Sequence, residues 1–438
     1  MGVLTLTNTK SEAVRHNMNK MWSSKITFKS LNNTLSFLVE SENQELIESF
    51  VYGLYEILGD TETKKIDVLQ KNDSKTKKKI EDFVVRFKDK FPPSINQITA
   101  YFRRLSEDES FLFLPNIDLT IQNSNKLYNY LLSLKGEESF EKLNKEFETT
   151  IGNTLNNYNL RAFGGFRTFI GDKNNRKCRF CGKKNDETTF KNKAHAISEG
   201  LGNKKVFLFD ECDECNERFS IEIEPDLINY FSIFRTFYEI KGKGGNKKIK
   251  GKNFEISKGK NVEIKFQSIK SRPNIDKDPN KYNLKLELQD KINLQDIYRG
   301  LAKFCISVMD ESEVAKFYKT ITWINKDFKV EKLPQIGELI SYQHFTTEPK
   351  LFLYIRKNNN KKIPYMVGEF HLTCKLLTFI MPLCEEDEYD FTEKNNFDDF
   401  WNEFNHYSKV KGWVFNDYSS DKEKKFIFNL NMNKRKNE

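Results

Sequence analysis

Two Cys-x-x-Cys pairs, Cys178/Cys181 and Cys212/Cys215, stand 30 residues apart in a chain of 438 residues, and nothing else in the sequence restricts folding as much. Each C-x-x-C turn aims two sulfurs at one point, and the intervening segment is long enough for a β-hairpin. The spacing therefore predicts four thiolates around one structural Zn²⁺. Cys305, Cys374 and Cys384 are scattered. Thiols in this pattern suit a reducing compartment, so a cytoplasmic location is expected. Inside the bracketed segment lies His195, the only histidine between His16 and His344.

The order C-x-x-C, then Ala194-His195-Ala196-Ile197-Ser198-Glu199, then Leu201-Gly202-Asn203, then C-x-x-C followed by Asn216, resembles the HNH endonuclease family with its ββα-metal, treble-clef-like core. The resemblance covers roughly residues 160–240. It implies that His195 is the general base, that Asn216 ligates a catalytic divalent metal, and that the cysteine pairs hold a separate structural zinc. Many relatives carry an acidic or histidine ligand just before the base. Here that position is Ala194, so the remaining ligand is left open among Asp210, Glu199 and Glu224.

The residues support this chemistry on their own terms. Phosphodiester hydrolysis needs an activated water, neutralised phosphoryl oxygens and a stabilised leaving 3′ oxygen, tasks that a base and a cation divide. Imidazole, with an ordinary pKa of about 6.5, is mostly neutral at cellular pH and can accept a proton. A strand through residues 190–197 would put Lys191, Lys193 and His195 on one face, opposite Phe190, Ala194 and Ala196. A helix beginning near Asp213, with Asp213 and Glu214 complementing its N-terminus, would carry Asn216 in its first turn. Oxygen ligation there favours Mg²⁺ or Mn²⁺, whereas thiolates favour zinc. Asn203 is placed with the catalytic residues, orienting the hairpin or touching phosphate; as an Asn after Gly it is also a turn residue.

Net charge is +9, and residues 241–285 hold 14 Lys/Arg against 4 Asp/Glu. There lysines interleave with Phe254, Ile256, Val262, Ile264 and Phe266 as in a hairpin with one buried face. Lys247, Lys248, Lys250 and Lys252 are the candidate phosphate contacts, and DNA is the expected partner. The bland alternative is a solvated lysine-rich surface. No run of 18 or more apolar residues occurs, and the first 30 positions lack a signal-peptide pattern, so no membrane association is expected.

The expected fold class is α+β in three parts: a mainly helical regulatory or partner-binding region, 1–155; the nuclease-like core, 156–240; and an α+β region, 241–438. Helical spacing recurs in residues 45–58, 79–91, 95–105, 126–134 and 139–155, with a lysine-rich link at 61–79. Pro225 ends the metal-bearing helix or opens a second one. Residues 294–309 read as an amphipathic helix with Leu301, Cys305 and Val308 on its apolar stripe. Strands are expected at 282–288, 317–323, 350–356, 364–372 and 375–381, and a frayed basic end at 431–438. A nuclease with accessory regions suggests restriction or another antiphage role, triggered by a regulatory protein or small molecule. One site cuts one strand, so a homodimer is a further expectation. The readings that compete are a non-catalytic zinc module binding nucleic acid or protein, and an RNA-directed nuclease with the same site.

Overall fold

The computed structural model describes residues 14–16, 21–60, 65–66, 68–117, 121–136, 138–242, 248–259, 261–267, 281–404, 406–407 and 410–433. The fold is α+β, and the chain divides into two compact units, Met1–Glu148 and Thr149–Glu438.

In the first unit, the helical segments take shape as α1 (Gln44–Leu58), α2 (Ser74–Phe87), α3 (Pro92–Phe102), α4 (Ile121–Ser133) and α5 (Phe140–Phe147). Asn43 and Asp73 cap α1 and α2 by accepting from Leu46 N and Thr76 N, which satisfies donors that a helix start leaves free. The helices pack on a five-stranded sheet that their pattern did not announce. Its strands are β1 (Val14–His16), β2 (Met21–Ser30), β3 (Thr34–Ser41), β4 (Leu69–Lys71) and β5 (Ser110–Pro115). Phe28, Phe50, Phe83, Phe87, Phe111 and Phe113 fill the space between the layers. Of the 61–79 link, residues 61–64 and 67 lie outside the described residues; β4 and the start of α2 occupy its second half.

The second unit is built on a six-stranded antiparallel sheet. Its members are β6 (Tyr158–Phe163), β14 (Ile336–Ile340), β15 (Thr346–Arg356), β16 (Met366–Thr373), β17 (Lys375–Ile380) and β18 (Val414–Asn416), in the order β18-β14-β17-β16-β15-β6. One face carries α11 (Lys394–Glu403) with Phe397 and Phe400 buried. Against the other lies α9 (Leu294–Val308), capped by Asn293 through Gln295 N and Asp296 N. The approach is close: a Cβ on Gly368 in β16 would fall 2.4 Å from the Phe379 ring and 2.9 Å from Cys305 Sγ.

One helix is more deeply enclosed than its pattern suggests, and one expected strand does not form. Helix α9 carries the expected apolar stripe of Leu301, Cys305 and Val308, but Gln295 through Val308 are all buried, so its polar stripe, Gln295, Arg299, Lys303 and Ser307, is enclosed as well. Residues 317–323 form no strand: a 3₁₀ turn, Ala315–Phe317, runs into α10 (Tyr318–Ile324). Phe317, Thr320, Ile321 and Ile324 recur at helical spacing on the buried side, and that periodicity outweighs the β-branched composition.

The lysine-rich stretch adds a small antiparallel sheet, β10 (Ile249–Lys250), β11 (Phe254–Lys258) and β12 (Val262–Phe266), with Phe254 and Ile256 buried. Beside it runs a long ribbon of β13 (Lys281–Asn293) and β19 (Glu423–Asn433). The 431–438 end is therefore not frayed throughout, since Asn431–Asn433 pair with Asn283–Lys281; residues 434–438 lie outside the described residues.

Candidate active site and metal centre

The nuclease-like core comprises β7 (Thr168–Ile170), β8 (Ala194–His195), β9 (Val206–Leu208), α6 (Asp213–Glu222), α7 (Glu224–Tyr230) and α8 (Ser232–Phe237). Strand β9 sits in the middle, antiparallel to β8 and parallel to β7. Pro225 opens α7 as its second residue.

The four cysteine sulfurs lie within 4.8 Å of one another, with Cys178, Cys212 and Cys215 buried and Cys181 exposed. Four Zn–S bonds of about 2.3 Å in a tetrahedron put sulfurs roughly 3.8 Å apart. Cys181 and Cys212 are 3.7 Å apart, which fits. The first knuckle turns through Gly182, whose φ of 74° is left-handed and which closes back on Cys178 O at 2.9 Å. In the second, Cys212 is the N-cap of α6 and accepts from Cys215 N. The Cys178 thiol is pulled down to about 5, first by the Cys215 thiol that bonds to it, with burial opposing and the N–H groups of Cys212, Cys181 and Phe180 adding to the pull. Cys178 is thus biased toward the thiolate a metal takes, whereas burial pushes Cys181 up to about 11 and the bond to Cys178 pushes Cys215 up, so the cluster without metal favours a single shared thiolate. Phe180 and Phe219 pack edge to face behind it at 4.8 Å.

His195 pairs with Phe207 across β8 and β9, and Phe207 pairs with Phe169 of β7. One row of side chains therefore crosses the three strands. Instead of the eight-residue strand expected at 190–197, only Ala194 and His195 pair, because Asp213 holds the preceding loop through Lys191 N at 3.0 Å and Asn192 N at 2.8 Å. Ala194 points into the core at 1 % exposure, so it is no place for a charged ligand. The His195 side chain is 22 % exposed, and its Nε2 lies 3.8 Å from Glu199 Oε2. Its Nδ1 is buried without a hydrogen-bond partner. Burial pushes the imidazole below its ordinary pKa; Glu199 and Glu224 oppose this, and Lys193 and Lys303 reinforce it. The ring is therefore neutral near pH 7 and free to accept a proton.

Asn203 is fully occupied by the hairpin. Its amide nitrogen donates to Ile197 O (2.6 Å) and Val206 O (2.8 Å), while its oxygen accepts from Lys205 N and Val206 N at 3.0 Å each. At 2 % exposure it shapes the loop and has no group left for substrate, unlike its expected place among the catalytic residues. Asn216 lies in the first turns of α6, half-buried, and its amide makes no hydrogen bond with the described residues. The three carboxylates left open can now be sorted. Asp210 lies 3.5 Å from Arg179, and Glu224 accepts from Ser198 and from Lys303 at 3.0 Å. Glu199 alone faces His195 with no other partner described. Among the described residues, the cysteines are the only convergent group of three or more His, Cys, Asp or Glu donors.

The structure also assembles residues that sequence reasoning missed. Phe169, 47 % exposed, lies nearly parallel to Phe207 and Phe209 at 5.3 and 5.5 Å. Lys193 Nζ sits 3.7 Å from the Phe207 ring centre, Arg167 5.4 Å from that of Phe169, and Arg176 5.4 Å from that of Phe209. The V-F-L-F alternation in 206–209 was the available signal. Beneath His195, Lys303 of α9 is buried between Glu211 (3.2 Å) and Glu224, which no local pattern reveals. Lys191 and Lys193 are exposed beside the histidine. Of the hairpin lysines, Lys248 pairs with Glu255 at 3.0 Å, Lys250 and Lys252 are exposed, and Lys247 lies outside the described residues.

No helix among the described residues is long and apolar enough to cross a membrane. No curated protein and no solved structure matches the chain. Residues 178–232, which hold the cysteine cluster, His195, Asn216 and the start of α8, match the family model described as HNH endonuclease, so the chain carries a nuclease-type HNH segment.

Proposed function

We propose that the protein is a metal-dependent HNH-type endonuclease that hydrolyses DNA phosphodiester bonds, with His195 as general base. The observation that carries this reading is the neutral, half-buried His195 in line with a row of aromatic rings topped by cations. Such a row suits a polyanion whose bases can stack. His195 takes a proton from water, the resulting hydroxide attacks phosphorus, and the 3′ oxygen leaves. Lys193 and Arg167 neutralise nearby phosphates.

Asn216 and Glu199, each with an unspent oxygen donor, are the residues that would hold Mg²⁺ or Mn²⁺. Such ions keep several waters and use few protein oxygens beside substrate phosphate, which suits so sparse a donor set. The cation would supply neutralisation of charge on the phosphoryl and leaving oxygens. The four cysteines hold zinc for structure, and Asn203 positions the hairpin. A role in restriction or antiphage defence, in the cytoplasm, accords with the large accessory regions, which would sense a trigger or pair two copies for double-strand cutting.

Ala194 and the lack of a second convergent donor group among the described residues favour the rival reading, a non-catalytic zinc module. The deciding experiment incubates the zinc-loaded chain with plasmid, single-stranded DNA and RNA in Mg²⁺, Mn²⁺ or EDTA, beside His195→Ala. Metal-dependent DNA cleavage lost in His195→Ala supports the enzyme. Equal cleavage by both proteins removes His195 from the mechanism, and preferential RNA cleavage moves the substrate assignment.

A further inference from the structure

Among the described residues, every buried or half-buried arginine has a carboxylate, amide or carbonyl partner, with one exception. Arg299 reaches Asp296, Asp421 and Gln295, Arg356 reaches Ile363 O and Glu386 O, and Arg179 reaches Asp210, Ile306 O and Met309 O. Arg235 of α8 is half-buried, with no carboxylate within ion-pair distance and no side-chain hydrogen bond among the described residues; its Nε, like that of Arg179, is buried without a partner. Ser232, one turn earlier, has a buried hydroxyl in the same condition. Both line a cavity of about 410 Å³ whose walls also include Lys248, Lys250, Gln289 and Asp290. Burial alone pulls the Arg235 guanidinium below its ordinary pKa, with no anion opposing.

A half-buried guanidinium without a counter-charge gives up part of its hydration with nothing in return, and an anion in the cavity would supply that return. The guanidinium fork matches phosphate oxygens in two places at once, and a serine hydroxyl supplies a third donor. Lys248 is already paired with Glu255, so Arg235 and Lys250 against Asp290 leave the wall with a net positive charge. The volume lies within the roughly 300–1,000 Å³ typical of small-molecule sites, more than a bare phosphate needs, and Gln289 and Asp290 offer acceptors to a sugar or base. The site also adjoins the nuclease-like hairpin. A Cβ on Gly242 would lie 3.2 Å from Gly200 Cα and 3.3 Å from Arg235 Nη2, so the arginine stands beside the Glu199–Leu201 turn that follows His195.

We propose that this cavity binds the phosphate group of a nucleotide, with Arg235 and Ser232 as the inner donors and Lys250 at the mouth. The site is separate from His195 and stands whether or not His195 cleaves. The nucleotide is either free or a unit of a strand, and the test tells them apart.

The test uses the full zinc-loaded chain with Arg235→Met, Arg235→Lys and Ser232→Ala. Inorganic phosphate and a panel of mononucleotides should raise the parent's melting temperature in a saturable way. Without any anion, Arg235→Met should melt at or slightly above the parent, because a half-buried charge without a counter-ion has gone, and it should lose the anion-dependent rise. Arg235→Lys should keep part of that rise, and Ser232→Ala should keep the fold while binding more weakly. If the strand is the source, Arg235→Met should also lower the log–log salt slope of oligonucleotide binding by about 0.9, one phosphate contact. If a free nucleotide is the source, that slope stays unchanged while the mononucleotide shift disappears. A parent whose melting temperature ignores every anion, with the same oligonucleotide affinity as Arg235→Met, overturns the proposal. So does an Arg235→Met protein that melts well below the parent yet keeps the anion shift, since Arg235 would then be structural.

Discussion

Lys303→Met should be among the most damaging single substitutions outside the cysteines. The lysine is buried, its ammonium lies 3.2 Å from Glu211 and 3.0 Å from Glu224, and its charge faces the Phe219 ring at 5.4 Å. Burial pulls its pKa down, but the two carboxylates outweigh that and hold it above its ordinary value. Removing one member of a buried ion pair strands the others, which costs about 3–5 kcal/mol. At about 2–4 °C per kcal/mol, melting should fall by roughly 10 °C. Glu211 sets the pH dependence, because burial pushes its carboxyl up to about 7 even with Lys303 pulling the other way. In the parent, the folded state holds that proton more tightly than the unfolded chain. Its contribution is therefore full below the unfolded value and declines as pH rises toward about 7. Without Lys303 the decline continues to higher pH, so the deficit of Lys303→Met relative to the parent should be larger at pH 8 than at pH 6. Lys303→Met/Glu211→Gln should recover part of the loss. Thermal melts at both pH values, with zinc content measured in parallel, check this. Equal melting of parent and Lys303→Met at pH 8 would refute the reasoning.

Cys178→Ser or Cys212→Ser should unfold the nuclease-like core, since structural zinc supplies folding free energy on the order of 10 kcal/mol; elemental analysis should find about one zinc per chain, and a zinc-free yet folded protein contradicts the site. His195→Ala should keep zinc, melting temperature and DNA affinity while cleavage falls about 10²- to 10⁴-fold, read from initial rates on plasmid. Because His195 titrates below its ordinary value, the acid limb of the parent's cleavage profile should have its midpoint below about pH 6.5; a midpoint above it would mean that another group is the base. Asn203→Ala removes four bonds to loop backbone and should cost about 2–4 kcal/mol by denaturant melt, with any loss of cleavage following the loss of structure. Changing Lys247, Lys248, Lys250 and Lys252 to Gln should flatten the salt dependence of DNA binding by about 0.9 in log–log slope per lost contact, and an unchanged slope would leave them as surface charge.

What could be read from the sequence was local. The C-x-x-C spacing announced the cysteine cluster, since two short turns bring four sulfurs together whatever surrounds them. The start of α6 near Asp213 followed from its acidic first turn. The strand around His195 came out shorter, because Asp213 competes for the backbone of residues 191 and 192. The burial of the polar stripe of helix α9 was hidden for a reason of scale. Lys303 and Arg299 look like solvent-facing charge, and their partners Glu211, Glu224 and Asp421 are remote in sequence. The same holds for Phe169, which meets Phe207 only through a parallel strand pairing. Arg235 gave no signal at all, because what marks it is the absence of a partner.

The ion pair between Lys303 and Glu224 spans 79 residues of chain, and it has a temporal consequence. Domains form as the chain emerges from the ribosome, N-terminal parts first. When Glu224 leaves the exit tunnel, it and Glu211 have no buried cation to meet, and the hydrophobic bed made by Tyr298, Leu301 and Phe304 is not yet outside. The nuclease segment therefore completes its folding only after residues 294–308 follow it out. A nascent or truncated chain ending before that helix carries the cysteines and the histidine without a finished site.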